Sequence, residues 1–131
     1  MKKSFRSVNF FTLLYMKTGV FVYLEFLRKT LLPLPGVTEK MCFGTPAFYV
    51  KKKIFTRIKE DGENLVLGTL ERDKWIQTKP EVYYITDHYR NYDYMLVRLD
   101  KVDPEELKGL LITAWRNRAT GKLISEYENN L

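Results

Sequence analysis

Between residues 39 and 69 the chain carries short runs of aromatic and β-branched residues that are separated by turn-forming residues. The clearest turn is Glu60-Asp61-Gly62-Glu63, whose Asp-Gly pair supplies the positive φ angle that a tight hairpin needs. In the run before it, Ile54, Thr56 and Ile58 occupy alternate positions, as in a strand whose two faces differ. These features favour an antiparallel sheet built from hairpins.

Six strands follow from this pattern. They are predicted at residues 39–43, 47–50, 53–59, 64–69, 82–86 and 94–99. A short helix within residues 69–78 interrupts the series, with Leu70, Trp75 and Ile76 predicted to face inward.

Amphipathic helices are predicted on both sides of this strand region. The first runs from Val20, and its apolar stripe consists of Phe21, Leu24, Leu27, Leu31 and Leu32. The second begins after Asp103, a good N-cap, with Pro104 at the first helical position. Its apolar stripe consists of Leu107, Leu110, Leu111, Ala114 and Trp115. Gly121 either ends this helix or separates it from an amphipathic tail. The expected fold class is α+β, an antiparallel sheet of five to six strands packed against N- and C-terminal helices.

The length of 131 residues and the hydrophobic content of 45% suit one domain with a single core. We assign residues 20–131 to this domain and residues 1–19 to an N-terminal extension. The extension contains a basic start and an apolar run, as a signal peptide does, but Lys17 interrupts the run and no small-residue cleavage site follows. The run is also shorter than the ~18 residues of a membrane span. We therefore expect neither secretion nor membrane insertion, and Met16 is an alternative start of the chain.

The net charge of +6 is concentrated at the start of the chain. Residues 1–30 contain six basic side chains and one acidic side chain, a net +5, which leaves 16 basic against 15 acidic, or +1, for the rest. A basic protein often binds nucleic acid or an anionic membrane, but a nearly neutral body weakens that argument. The one cysteine, Cys42, excludes an internal disulfide and favours a reducing compartment, so we expect a cytoplasmic protein.

Several short motifs together carry a family resemblance. They are Leu34-Pro35-Gly36-Val37, Phe43-Gly44-Thr45-Pro46-Ala47-Phe48, Lys53-Ile54-Phe55, Asp87-His88-Tyr89-Arg90, Leu96-Val97-Arg98-Leu99 and the segment from Asp103 to Trp115. Through them the chain from about Phe26 to Ala119 resembles the MmcQ/YjbR family. The resemblance implies a YjbR-like α+β domain similar to bacterial frataxin and to secretion-chaperone folds. It also implies a largely uncharacterised function, for which DNA binding is often proposed.

A DNA-binding surface is the first functional hypothesis. Its candidate residues are Lys51, Lys52, Lys53, Arg57, Arg90, Arg98, Tyr89 and Tyr92. The cations, with Lys59 beside them, would contact phosphates, and the tyrosine rings would stack on unpaired bases. Such binding would be weak, sensitive to salt and independent of sequence. The alternative is that the three lysines form a solvated turn that protects an edge strand, and the acidic residues 60–63 would repel phosphate.

Catalysis and metal binding have little support in the sequence. An enzyme would need Cys42 as a nucleophile beside His88, which Asp87 or Asp93 would orient. The sequence does not bring these groups together, and a cysteine in a strand is typically a small buried residue. One histidine and one cysteine cannot complete a zinc site, and the first helix, with Glu25 as its one acid, lacks the acidic ridge of frataxins. We therefore expect no catalysis, no metal and no cofactor.

A protein-interaction or chaperone-like module is the second functional hypothesis. Tyr83, Tyr84, Tyr89, Tyr92 and Tyr94 lie within twelve residues, and tyrosine is common at interfaces. Because successive strand residues point to opposite faces, Tyr83 or Tyr84 should face the second side of the sheet. Without a helix over it, that side would be an aromatic surface for a peptide, a ligand or another copy of the chain. The alternative is that the tyrosines are buried beneath the terminal helices.

Overall fold

The computed structural model describes residues 18–131, and this part of the chain forms six strands, four α-helices and one 3₁₀ turn. In chain order they are α1 (Thr18–Leu31), β1 (Val37–Cys42), β2 (Thr45–Val50), β3 (Lys53–Ile58), β4 (Asn64–Gly68), α2 (Arg72–Thr78), β5 (Tyr83–Tyr84), the 3₁₀ turn (Asp87–Tyr89), β6 (Tyr94–Arg98), α3 (Pro104–Arg116) and α4 (Gly121–Asn129). The predicted α+β class is confirmed. Residues 1–17 of the predicted extension lie outside the described residues, and α1 begins two residues before the predicted boundary.

The strands form one antiparallel sheet in the order β1-β2-β3-β4-β6-β5. Phe43 and Gly44 connect β1 to β2, and both have positive φ angles, 52° and 78°, as a two-residue hairpin turn of type I′ requires. The predicted turn between β3 and β4 is confirmed. Gly62 there has a φ angle of 72°, and the Asp61 carboxylate accepts hydrogen bonds from the backbone N–H groups of Glu63 and Asn64.

One face of the sheet carries the main core. The apolar residues of all four described helices pack into this cluster, and its largest fully buried side chains include Trp115, Tyr83, Phe48 and Phe55. The predicted stripe of α3 is buried as expected. Two inward predictions are wrong, because Leu32 is exposed just after α1 ends and Leu70 is 71% exposed just before α2 begins. Neither residue continues the periodic face of a helix.

Capping decides where the C-terminal helices begin. The Asp103 carboxylate accepts a hydrogen bond from the backbone N–H of Glu106 at 2.9 Å, which confirms the predicted N-cap of α3. Thr120 caps α4 in the same way, through a 3.3 Å hydrogen bond from the N–H of Leu123. Gly121 therefore begins a separate helix, which was one of the two predicted alternatives.

Strand β3 departs from the predicted alternation. Against β2, Thr56 lies opposite Phe48 and Ile54 lies opposite Tyr49, so Phe55 is an extra residue at a bulge. Phe55 and Ile58 then join the main core, whereas Arg57 shares the opposite face with Ala47 and Val66. The prediction that Ile54 and Ile58 lie on one face is wrong, because the bulge shifts the pattern by one residue.

The second face of the sheet holds a smaller cluster. Val66, Tyr89 and Leu96 are buried there, with Tyr84 and Tyr94 packed beside them. Tyr89 comes from the loop of residues 85–93, which begins within the predicted strand at 82–86, because β5 spans only Tyr83–Tyr84. We call this side the helix-free face, because the four described helices contribute residues to the main core and none to this smaller cluster. Its covering loop brings a buried tyrosine over the middle of the sheet.

Candidate functional site

The helix-free face contains a cavity of about 170 Å³, which we call the Arg57 cavity. The β1–β2 hairpin contributes Cys42 and Phe43. Strands β3 and β4 contribute Ile54, Thr56, Arg57 and Val66. The covering loop and the start of β6 contribute His88, Tyr89 and Tyr94. The cavity thus lies where a hairpin turn, the sheet and a loop meet, and its lining mixes apolar side chains with one permanent cation.

Arg57 is only 7% exposed, and its guanidinium is hydrogen-bonded on several sides. Nη1 donates to the Glu60 carboxylate at 3.0 Å, to Oγ1 of Thr45 at 3.3 Å and to the carbonyl of Ile58 at 3.4 Å. Nη2 donates to the Tyr89 hydroxyl at 3.2 Å. The guanidinium carbon also lies 5.3 Å from the centre of the Phe43 ring. Arg57 therefore links the strand, the hairpin and the covering loop.

The charge of Arg57 is stabilised despite its burial. Burial opposes the charged form, but the hydrogen bonds to Glu60 and Tyr89 outweigh it and raise the pKa of Arg57 above its ordinary value. The pKa of Glu60 is lowered, first by a backbone hydrogen bond and then by Arg57. The cavity lining therefore carries a fixed positive charge whose carboxylate partner comes from the turn after β3.

The covering loop is held by Arg72, which sequence reasoning missed. This side chain at the start of α2 donates to the carbonyls of Tyr89 at 2.8 Å and Tyr94 at 3.3 Å, and also to those of Arg90 and Tyr92. No local pattern could have indicated this role, because the acceptors are backbone atoms 17 to 22 residues away in sequence. Arg72 thereby fixes the loop that closes the Arg57 cavity.

The predicted DNA-binding residues occupy several places. Arg57 and Tyr89 are in contact at the Arg57 cavity, and Arg90, in the covering loop, forms an ion pair with Asp87. Tyr92 is an exposed residue of the same loop. Arg98, at the end of β6, pairs with Asn64 of β4. Its guanidinium carbon lies 4.0 Å from the centre of the Tyr84 ring.

The three predicted lysines lie apart from Arg57. Lys51 and Lys52 form the turn between β2 and β3, Lys53 begins β3, and all three are exposed. Within residues 18–131 none of them has a carboxylate within ion-pair distance. At roughly 3.3 Å per residue, Lys53 and Arg57 are separated by about 13 Å along the strand. The structure therefore brings Arg57 and Tyr89 together and leaves the lysines at the far hairpin.

Cys42 and His88, the candidates for catalysis, both line the Arg57 cavity, although the sequence could not bring them together. In the described part of the chain no hydrogen bond joins them, and the His88 ring instead packs edge-on against Tyr89 at 4.7 Å. Residues 18–131 contain no group of three or more His, Cys, Asp or Glu side chains that could hold a metal ion. The absence of catalysis stays a prediction.

A comparison with known families identifies this chain. The YjbR family model matches residues 32–117 of this chain. The chain belongs to the YjbR family. The predicted resemblance is therefore confirmed, over a YjbR region that runs from the end of α1 to just past the end of α3.

A solved structure supports the same fold for this YjbR domain. The crystal structure of Deinococcus radiodurans protein DR2400, of the domain family DUF419, is similar with a TM-score of 0.65 and 22% identity. The match covers 79% of this chain and 86% of that one. Comparison with curated proteins gives no match. In the described residues of the YjbR protein, no helix has the length and apolar character of a membrane span, and the cytoplasmic location stays a prediction.

The predicted division of the tyrosines between two faces is confirmed in the YjbR domain. Tyr83 is buried in the main core, where its hydroxyl donates to the Glu106 carboxylate. Tyr84 packs on the opposite side, beside Val66 and Leu96. The helix-free face therefore presents partly exposed aromatic side chains, as the interaction hypothesis requires.

Proposed function

We propose that this YjbR domain is a non-catalytic binding protein that engages a protein partner through its helix-free face. The observation that carries the proposal is that, within residues 18–131, this face is covered by the loop of residues 85–93 and by no helix. Beside the loop, the tip of the β1–β2 hairpin presents Phe43 to solvent. Phe43 is 79% exposed although it is a large apolar residue. A hairpin tip of this kind is typical of a surface that becomes covered in a complex.

The backbone at Phe43 supports this proposal. Its φ angle of 52° is uncommon for a non-glycine residue and costs about 1–3 kcal/mol where it is strained. Asparagine or glycine at this position would be more favourable for the turn. A strained residue that exposes a large ring supports the proposal, because a bound partner would remove that ring from water.

Cations stacked on aromatic rings give the face a second property of interfaces. Arg98 lies over Tyr84, and Nζ of Lys40 lies 5.9 Å from the centre of the Tyr49 ring. Tyrosine and arginine are enriched among the residues that contribute most to protein association. The partner proposed here would therefore combine apolar contact at the hairpin with hydrogen bonds or acidic groups along the sheet.

Co-purification tests the interaction. The full chain would be immobilised and exposed to extract of its own source, and retained proteins would be identified and then titrated as purified components. Phe43→Ser should abolish retention, since it removes the exposed ring without touching the main core. The matched control is Leu131→Ser, because Leu131 is also exposed and apolar but lies at the C-terminus. Failure to find a partner, or equal retention by Phe43→Ser, would contradict the proposal.

DNA binding is the second candidate, and one observation favours it. Lys51, Lys52 and Lys53 are three adjacent exposed cations with no carboxylate in ion-pair distance among the described residues. Three phosphate contacts would give weak binding. The logarithm of the binding constant would fall with the logarithm of the salt concentration at a slope of about −2 to −3. Fluorescence anisotropy with single-stranded and duplex DNA across a salt series tests this.

Two outcomes would end the DNA hypothesis. One is the absence of binding at about 50 mM salt, and the other is an affinity that does not respond to ionic strength. If the hairpin is responsible, replacement of the three lysines by alanine should remove most of the salt dependence. Replacement of Lys108 and Lys122, which are exposed on α3 and α4, is the control and should change little.

A further inference from the structure

We propose that the Arg57 cavity binds a small organic acid, a monocarboxylate with an apolar body about the size of one aromatic ring. This site lies within the helix-free face, but it does not depend on a protein partner. The proposal rests on the charge of the cavity, on the hydrogen-bonding capacity of Arg57 and Tyr89, and on the size of the space beside them.

The charge of the lining favours an anion. Among the described residues that line the cavity, Arg57 carries the one permanent charge, and none is a carboxylate. Glu60 reaches Arg57 from the turn after β3, and its side chain is 58% exposed. Glu60 is therefore outside the lining and is solvated, so it can stay in place or turn into solvent when a ligand carboxylate arrives. When Glu60 turns into solvent, one ligand carboxylate replaces it as the counter-ion of the buried guanidinium.

Arg57 retains donors for such a ligand. A guanidinium has five N–H groups in a planar fork, and the hydrogen bonds to Glu60, Thr45, Ile58 and Tyr89 leave from Nη1 and Nη2. Nε donates to no acceptor among residues 18–131, and Nη2 bonds only the Tyr89 hydroxyl there. Nε and Nη2 share one side of the guanidinium, the side from which arginine binds a carboxylate through both oxygens, and both atoms have an N–H group left for a ligand.

Tyr89 adds a third donor. Its hydroxyl oxygen accepts the hydrogen bond from Nη2 of Arg57, which leaves the hydroxyl hydrogen for another acceptor. The Tyr89 ring is buried and is held by edge-on contacts with His88 and Tyr94. A carboxylate that meets Arg57 would thus also lie near a preorganised phenol, with little side-chain entropy lost on binding.

Size and shape define the rest of the ligand. A cavity of about 170 Å³ is slightly larger than the ~150 Å³ apolar cavity that accommodates benzene in an engineered protein. Ile54, Val66 and the rings of Phe43 and Tyr94 supply apolar walls. An inorganic anion would leave these walls uncovered, and a neutral ring without an acceptor would leave the remaining N–H groups of Arg57 without a hydrogen-bond partner. A ring-sized monocarboxylate satisfies both parts of the cavity.

The test uses the full chain and sodium benzoate as the probe. Titration would be followed by isothermal calorimetry and by ¹H–¹⁵N spectra, with benzyl alcohol, acetate and inorganic phosphate as comparison ligands. Benzoate should bind at least roughly tenfold more tightly than each of them, and its shifts should centre on Arg57, His88 and Tyr89. Equal affinity for benzoate and benzyl alcohol would overturn the proposal. Shifts confined to the apolar cavity beside Tyr23 and Val102 would overturn it as well.

Variants separate the charge from the fold. Arg57→Met should weaken benzoate binding by roughly tenfold or more, because it keeps the aliphatic stem and removes the guanidinium. Arg98→Met is the matched control, since Arg98 lies on the same sheet but not in the cavity lining, and it should leave the affinity within about twofold. Should Arg57→Met fail to fold, the wild-type comparison of benzoate with benzyl alcohol still decides the question. Unchanged benzoate affinity in a folded Arg57→Met would refute the proposal.

Discussion

The loop that covers the helix-free face should depend on one side chain, Arg72. We predict that Arg72→Met releases this loop while α2 and the main core stay folded. Methionine keeps most of the aliphatic volume, but it removes the hydrogen bonds to the four backbone carbonyls that the guanidinium now satisfies. Three of those carbonyls belong to the covering loop and the fourth to Tyr94, the first residue of β6, so the loss acts on the loop and on its junction with β6.

The magnitude follows from burial and charge. A hydrogen bond from a charged donor contributes about 1.5–3 kcal/mol, and the side chain of Arg72 is 21% exposed. The hydrogen bonds to Tyr89 and Tyr94 are partly buried, whereas those to Arg90 and Tyr92 face solvent. If each of the two partly buried bonds contributes the lower value and the other two contribute nothing, the variant loses about 3 kcal/mol in its free energy of unfolding.

Urea denaturation of wild type and variant measures this loss, and amide exchange shows where it acts. Exchange should accelerate most at Tyr89 and Arg90, whose N–H groups bond within the loop. Lys74→Met is the control, because Lys74 is an exposed residue of the same helix with a weak ion pair to Glu71, and it should change stability by less than about 0.5 kcal/mol. A loss below about 1 kcal/mol, or equal acceleration throughout β4, would refute the reasoning.

Three further substitutions have defined outcomes. Burial would raise the pKa of Glu106, but hydrogen bonds from Lys79 and Tyr83 lower it below its ordinary value of 4.5. These two hydrogen bonds therefore stabilise the fold fully above that pH, and the stabilisation is lost as the pH falls through the lowered pKa. Glu106→Gln should therefore flatten the acid limb of the stability curve, and an unchanged limb in urea titrations from pH 3 to 7 would contradict this. Gly36→Ala should cost about 1–2 kcal/mol in thermal melts, because its φ angle is 77° and a Cβ would lie 2.8 Å from Leu123; no loss would argue against strain. Trp115→Phe should cost about 2–4 kcal/mol in urea denaturation, since it removes the 2.9 Å hydrogen bond to the Pro35 carbonyl and buried volume, and a near-neutral effect would be inconsistent with that contact.

Local features were predictable wherever the physical cause lies within a few residues. The N-cap at Asp103, the Asp61-Gly62 turn and the stripe of α3 depend on neighbouring backbone groups and on helical spacing, and all are confirmed. The errors at Leu32 and Leu70 occur just outside helices, where periodicity no longer indicates burial. The ends of helices and strands were predicted less accurately for the same reason. The strand predicted at residues 82–86, for example, spans only Tyr83 and Tyr84.

The candidate site was predictable only in part. Arg57 and Tyr89 were identified as functional candidates from residue type, but their contact spans 32 residues of sequence. The bulge at Phe55 reverses the faces of β3, and it depends on how β2 pairs with β3 rather than on either strand alone. Arg72 carried no signal, because a side chain that binds backbone carbonyls needs no particular residue type in its partners.

The sequence by itself determined the family, the α+β class and most helices and turns of this protein, because periodicity, capping and turn formation act between residues a few positions apart. Only the tertiary structure decided that Arg57 is buried beside Tyr89, that the three lysines lie on a separate hairpin and that all four helices of residues 18–131 pack on the other face of the sheet. Those properties arise from contacts between distant segments, and the closing of the chain around one core brings those segments together.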